Sequence, residues 1–314
     1  MFVFSACIQA QGIYNKIKED KNVLPDSIPK LFLPGIVSTG MHEHSGFNIS
    51  HDGKSALITV SLSGQKIILL FKKVKKIWDN PEVPIFSGRY RDEYPFFSPD
   101  GKKVYFSSYR PDNDTGLALQ KFRHWVSEAK NGIFQPAKLL TVWHKELSPY
   151  YMDKNYTVYS WGNLKEGKGE NDIYIQKMTG NSYSEPINLG DSINTSAIEY
   201  APCLSPGGKI LVFCRMGLGK EDGLYFSKIG NDGKWGKAKR VNSNINKGYA
   251  ERFPCFSEDG RYLFFNRQFL KYSPQSKIKL DYKKLVKEFL STPENGGGDI
   301  YWVDAKTIDS SNKK

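Results

Sequence analysis

The chain has 314 residues, 39% of them hydrophobic and 14% aromatic, with a formal net charge of +12. No run of about 18 apolar residues occurs, which excludes a membrane-spanning helix. The basic charge is spread along the chain; Lys72, Lys73, Lys75 and Lys76 form its only tight cluster, no groove-reading motif accompanies them, and nucleic acid is excluded as a partner.

The N-terminus, Met1-Phe2-Val3-Phe4-Ser5-Ala6-Cys7-Ile8-Gln9-Ala10, is apolar and then small, like the last half of a secretory signal without its basic start. The preferred reading removes residues 1–10 by cleavage after Ala10. The alternative takes Phe4-Ser5-Ala6-Cys7 as a loose lipobox with Cys7 lipidated. Residues 11–28 are a leader. Pro29-Lys30-Leu31-Phe32-Leu33-Pro34-Gly35 then reads as a strand without a sequential partner.

From there a unit repeats. Five turns, His51-Asp52-Gly53-Lys54, Pro99-Asp100-Gly101-Lys102, Met152-Asp153-Lys154-Asn155, Pro206-Gly207-Gly208-Lys209 and Glu258-Asp259-Gly260-Arg261, each join two apolar stretches, at a spacing of about 52 residues. Apolar runs on both sides of a tight Asp-Gly turn are a strong hairpin signal. In the second unit the hairpin is Tyr94–Ser98 and Val104–Ser108. A third strand follows a polar loop: Gly116–Gln120, Asp172–Ile175, Gly223–Phe226 and Asp299–Val303 in successive units. A fourth ends in an apolar pair: Phe134–Leu140, Tyr183–Leu189 and Trp235–Val241.

Four antiparallel strands per unit make a propeller blade. The fifth unit lacks a fourth strand, and the Leu31–Leu33 segment is free to supply it. The expectation is therefore an all-β fold, a single five-bladed β-propeller over residues 29–306, closed by an N-terminal strand that covers an open sheet edge. Residues 307–314 form a tail. Six blades is the alternative, with a degenerate unit hidden inside 268–298. That segment instead shows Ile278, Tyr282, Leu285, Val286, Phe289 and Leu290 at helical spacing, and reads as a helical insertion on the face where the first strands begin.

The phrases Phe97-Ser98-Pro99-Asp100-Gly101-Lys102-Lys103-Val104-Tyr105-Phe106-Ser107-Ser108, Asp172-Ile173-Tyr174-Ile175 and Glu185-Pro186-Ile187-Asn188-Leu189-Gly190, the last followed by Ile193-Asn194, Glu199 and Pro202, resemble the WD40-like propeller repeats of TolB-type proteins. The resemblance covers roughly residues 29–304. It implies an exported envelope or periplasmic protein that acts as a binding platform. Related propellers cap peptidase domains or carry carbohydrate-cleaving sites, and the repeat leaves no stretch here for a peptidase domain.

By strand direction, the starts of the first strands and the ends of the second strands share one face, called the top. Acids stand there in every unit: Glu43, Glu93, Glu146, Glu199 and Glu251. Crowded like charges need partners. Arg110, Arg215 and Arg267 are placed to pair with Glu93, Glu199 and Glu251 as structural ion pairs. Glu43, expected opposite Ser61 or Ser63, and Glu146, opposite Trp161 or Asn163, have no Arg. With His42, His44, His144 and Trp161 they are the candidate ligand-binding residues. Aromatics beside acids suit sugar stacking but more often pack a core. His42-x-His44 has two ligands for zinc and no legible third, so no metal is assigned. Gly-x-Ser-x-Gly, Walker and dinucleotide patterns are absent, and no cofactor is expected.

Cys203, Cys214 and Cys255 read as buried thiols, with a Cys203–Cys214 bridge as the alternative. The leading functional expectation is an exported, non-catalytic protein that binds a protein or glycan of the cell envelope. The alternative is a glycoside hydrolase or lyase using Glu43 and Glu146, since paired-carboxylate catalysis leaves no linear motif.

Overall fold

A computed structural model of the protein describes residues 24–74, 77–112, 121–180, 182–217, 219–247, 250–268, 282–283 and 292–309. Five antiparallel sheets stand in a ring, one per repeat. The first is built from His42–Glu43 and Asn48–Ile49, which together form its inner strand, then Ser55–Leu62, Gln65–Val74 and Ile77–Trp78. The second runs Asp92–Phe97, Lys103–Ser108 and Arg123–Lys130, edged by Ile133–Phe134 and Lys138–Leu140. The third is Ser148–Met152, Val158–Gly162, Asp172–Gln176 and Ile187–Asn188. The fourth is Ile198–Leu204, Ile210–Met216, Gly223–Lys228 and Lys239–Arg240. The fifth is Glu251–Phe256, Tyr262–Gln268, Gly298–Asp304 and, from the other end of the chain, Lys30–Leu31.

That last pairing closes the ring. Lys30 lies opposite Trp302 and Leu31 opposite Tyr301, and the Phe32 amide donates to the Ile300 carbonyl at 2.8 Å. The Phe32 ring packs against Phe47, Phe264 and Trp302, so the closing strand is also wedged between the fifth and first blades. The ring is five-bladed. The third strand of the second blade is Arg123–Lys130, not Gly116–Gln120, which lies outside the described residues. So do residues 269–281 and 284–291 of the 268–298 segment, between which Tyr282 and Lys283 are helical, and so does Cys7.

The hairpin turns explain the repeat. The Ser50, Ser98 and Ser257 hydroxyls donate to the aspartates at 52, 100 and 259, whose carboxylates accept the amides of Lys54, Lys102 and Arg261. The next residue must take a positive φ, which glycine does without strain: Gly53, Gly101, Gly208 and Gly260 have φ of 67°, 68°, 67° and 70°. In the third unit, which lacks the glycine, Tyr156 takes φ 61° and Asp153 caps the turn by accepting the Asn155 and Thr157 amides.

Apolar side chains fill five wedges, one between each neighbouring pair of blades. The inner strands of the second, fourth and fifth blades bulge where Pro95, Pro202 and Pro254 have no N–H to give. Cys203, Cys214 and Cys255 are free and buried; Cys214 lies opposite Tyr200 rather than Cys203, and Cys203 and Cys255 line the same small recess on the bottom face.

Candidate functional site: the top face and channel mouth

Along a strand, neighbouring side chains point to opposite faces, and this splits the top-face residues into two sets. One set anchors the blades. Glu199 receives Arg215 Nε at 2.7 Å, and Glu251 receives Arg267 Nε at 3.1 Å; both acids are fully buried. Each guanidinium also donates to a carbonyl, Ile193 or Ile245, and lies over Tyr225 or Tyr301. The Thr195 amide and hydroxyl donate to Glu199, and the Lys247 amide donates to Glu251 Oε1, while Glu251 Oε2 has no hydrogen-bond partner among the described residues.

In the second blade the anchor is Asp92, not Glu93. Arg110 Nη2 meets Asp92 Oδ1 at 2.7 Å, while Ser87 and Ser108 donate to the same carboxylate. In the third blade the anchor position holds buried Leu147 rather than Glu146. Its neighbour across the strands is Gly162, where an added Cβ would lie 2.9 Å from the Leu147 side chain. A leucine and a glycine thus replace the ion pair. Glu146 is exposed. His144 Nδ1 accepts its amide at 3.4 Å, away from the channel. Trp143 stacks on Phe96 and Tyr105 between the second and third blades.

In the first blade the anchor is Glu43, opposite Val60 rather than a serine. Without an arginine it turns to the fifth blade. Its Oε1 accepts the Thr39 amide and hydroxyl, at 3.2 and 2.8 Å, and Asn266 donates to its carbonyl. Its Oε2 and the buried Oδ1 of Asp299 have no other hydrogen-bond partner among the described residues. Burial, with the Asp299 charge beside it, pushes the Glu43 carboxyl well above the usual range. Burial raises Asp299 to about 7, against the hydrogen bonds it accepts from the Glu294 amide and from Glu43. Two buried carboxyls, both pushed toward the protonated form, thus lie beside each other across the seam where the ring closes.

The second set, one residue further on, faces the channel: His44, Glu93, Ser148, Tyr200 and Arg252. Glu93 is held by Lys66 and by Arg91 Nε at 3.0 Å, with His44 Nε2 3.7 Å away. Lys66 Nζ also lies 2.6 Å from His44 Nε2, so His44 accepts and is neutral. Burial, then the Lys66 charge, lowers the His44 pKa to about 3, and the same two causes lower that of His42. Lys66, Arg91 and Arg252 are lysine and arginine positions the sequence reading passed over. Counting back six residues from the turn residues Ser98 and Asp153 would have marked Asp92 and Leu147 as the anchors.

Below this polar ring the channel is filled. His44, Tyr94, Tyr150, Trp161, Tyr200 and Phe253 form a continuous cluster with ring centroids 5.2–6.1 Å apart. Trp161 belongs to this plug and is not a rim residue. The bottom recess holds about 40 Å³. A larger hollow, about 580 Å³, opens on the top face at the fourth and fifth blades, walled by Lys220, Arg240, Lys247 and Arg252. Among the described residues no cluster of three or more His, Cys, Asp or Glu is arranged to hold a metal, and no helix is long and apolar enough to cross a membrane.

No protein-family model matches the chain, and no curated protein matches it. Several solved structures do. TolB from Acinetobacter baumannii superposes with a TM-score of 0.46 at 14% identity, over 82% of this chain and 53% of its own. A putative TolB from Agrobacterium tumefaciens gives 0.45 at 16%, over 83% and 89%. An α-L-arabinofuranosidase from Lactobacillus brevis gives 0.49 at 14%, over 83% and 90%. The chain thus spans about half the length of the first of these proteins and most of the other two. Both TolB proteins and a glycosidase are among the neighbours of this five-bladed propeller.

Proposed function

We propose that this protein is an exported, non-catalytic binding platform of the cell envelope, using its top face to hold a protein or glycan. The observation that carries this reading is the state of the top-face carboxylates. Glycoside cleavage by a carboxyl pair needs two acids facing one open pocket, roughly 5–9.5 Å apart. Here Asp92, Glu199 and Glu251 are buried against arginines, Glu93 is held by Lys66 and Arg91, and Glu43 is buried against Asp299. Glu146, the other acid of the enzyme reading, is exposed in the third blade, while the top-face hollow opens at the fourth and fifth. The aromatic plug leaves no route for a chain to thread the channel. What remains is a rigid polar surface, which suits recognition.

A thermal-shift screen of oligosaccharides and envelope fractions tests the reading. A saturable rise in melting temperature, with no product released from the same glycans, is expected. Turnover of any glycan that is abolished in the double variant Glu43→Gln, Glu146→Gln overturns it. Export rests on the signal-like residues 1–10; cell fractionation that finds the full-length protein in the cytoplasm removes that part.

A further inference from the structure

The hollow at the fourth and fifth blades carries more charge than the blades need. Lys220 sits on a single 3₁₀ turn, Gly219–Glu221, and is exposed. Lys247 is fixed through its backbone, whose amide donates to Glu251 Oε1 at 3.0 Å, while its side chain is exposed. Arg252 comes from the inner strand of the fifth blade, opposite Asn266, and its charge reaches His42 and His44 at the channel mouth. None of these three has a carboxylate within 4 Å among the described residues. The fourth cation, Arg240, is held against the Asp222 carbonyl at 3.0 Å and lies 3.8 Å from Glu221.

Elsewhere in the ring the same charge is neutralised. The position that holds Arg252 in the fifth blade holds Glu93 in the second, and Glu93 is ringed by Lys66 and Arg91. Here four cations outnumber the two acids on the wall, Asp222 and the Arg267-paired Glu251; the excess positive charge repels itself, and a bound anion relieves that repulsion. The volume, about 580 Å³, falls within the roughly 300–1,000 Å³ typical of small-molecule sites. No aromatic ring lines it among the described residues, which disfavours a stacked base. Its remaining walls are Asp222, Glu251 (paired with Arg267), Met216, Asn246 and small residues.

We infer that this hollow binds a hydroxylated oxyanion, a sugar acid or sugar phosphate, with Lys220, Lys247 and Arg252 meeting its charge. The inference rests on the binding reading above and names the ligand class for it. Arg252 offers a planar fork suited to carboxylate or phosphate, and the two lysines act as movable point charges. The ligand lies across the top face, beside the channel mouth.

The test is titration calorimetry with the full chain and four probes: digalacturonate, glucose 1-phosphate, inorganic phosphate and neutral cellobiose. Either charged saccharide is expected to bind at least 10-fold more tightly than cellobiose, and to weaken several-fold between 50 and 300 mM salt, about the range over which the Debye length falls below 10 Å. Which of the two binds distinguishes carboxylate from phosphate recognition. The variants Arg252→Gln and Lys247→Gln should each weaken binding about 10-fold. Lys220→Gln, on an exposed turn, keeps the test valid if Arg252→Gln melts early. Inorganic phosphate binding as tightly as glucose 1-phosphate overturns the saccharide assignment. Cellobiose or an envelope fraction binding with no loss in the three variants overturns the pocket and leaves the platform reading intact. No binding to any probe or envelope fraction removes both.

Discussion

Replacing Glu43 with Gln removes one member of the buried carboxyl pair without changing its shape. Gln keeps an oxygen to accept from Thr39 and places an N–H₂ where Glu43 Oε2 faces Asp299. In the wild type the folded pair holds at least one proton at a pH where the unfolded chain, with ordinary carboxyls near 4, holds none. Stability therefore falls with rising pH: the pair's contribution is complete below about pH 4 and is lost as pH rises through about 7, the value to which Asp299 is raised. For Asp299 alone, one proton over about three pH units at 1.36 kcal/mol per unit amounts to about 4 kcal/mol. Water entering the seam as it loosens brings the expected difference nearer about 2 kcal/mol. Guanidinium unfolding of wild type and Glu43→Gln, measured from pH 4 to 9, should give matching stabilities at pH 4 and a more stable variant at pH 8. Taking the difference between the two proteins cancels the titrating groups outside the pair. Parallel curves, or a variant less stable at pH 8, would refute the raised carboxyl pair.

The closing strand predicts a large local cost: Phe32→Ala should lose about 3–4 kcal/mol in denaturant unfolding, because a buried ring between two blades leaves a cavity where the ring closes; a loss under 1 kcal/mol would mean the strand does not hold the seam. Gly46→Ala puts a Cβ 2.1 Å from the Phe253 carbonyl oxygen, a backbone atom that cannot swing away, so a drop of at least about 3 kcal/mol is expected in thermal unfolding. His44, lowered to about 3, and His124, lowered by burial to about 4, stay neutral in the folded state. The unfolded chain binds protons below its ordinary value near 6.5, so these residues cost stability as pH falls from 6.5 toward 4. The imidazole shifts of His44 and His124 followed by NMR should be flat above pH 5; a His44 midpoint near 6.5 would contradict the Lys66 contact.

Much of the ring is written locally. A serine, an aspartate and a glycine within four residues close a turn by their own hydrogen bonds, and apolar runs on either side need one another to leave water. Three of the five units carry that turn whole and the other two carry variants of it; five such hairpins, with a spare strand at the front, leave a closed propeller as the arrangement that covers both open edges. Even Tyr156, in the unit without a glycine, adopts the same φ, since the flanking strands fix what the turn must do. The channel mouth is different. Strand side chains alternate, so an error of one residue moves a group to the opposite face: Glu93 and Asp92, or Glu146 and Leu147, exchange roles on that step alone. The partners that decide charge and protonation lie far apart in sequence, Lys66 with Glu93 across two blades and Glu43 with Asp299 across the seam. No local pattern specifies which arginine is left without a carboxylate. Only the packed ring brings those side chains together, because their electrostatics depend on burial and neighbours that exist after the blades have met.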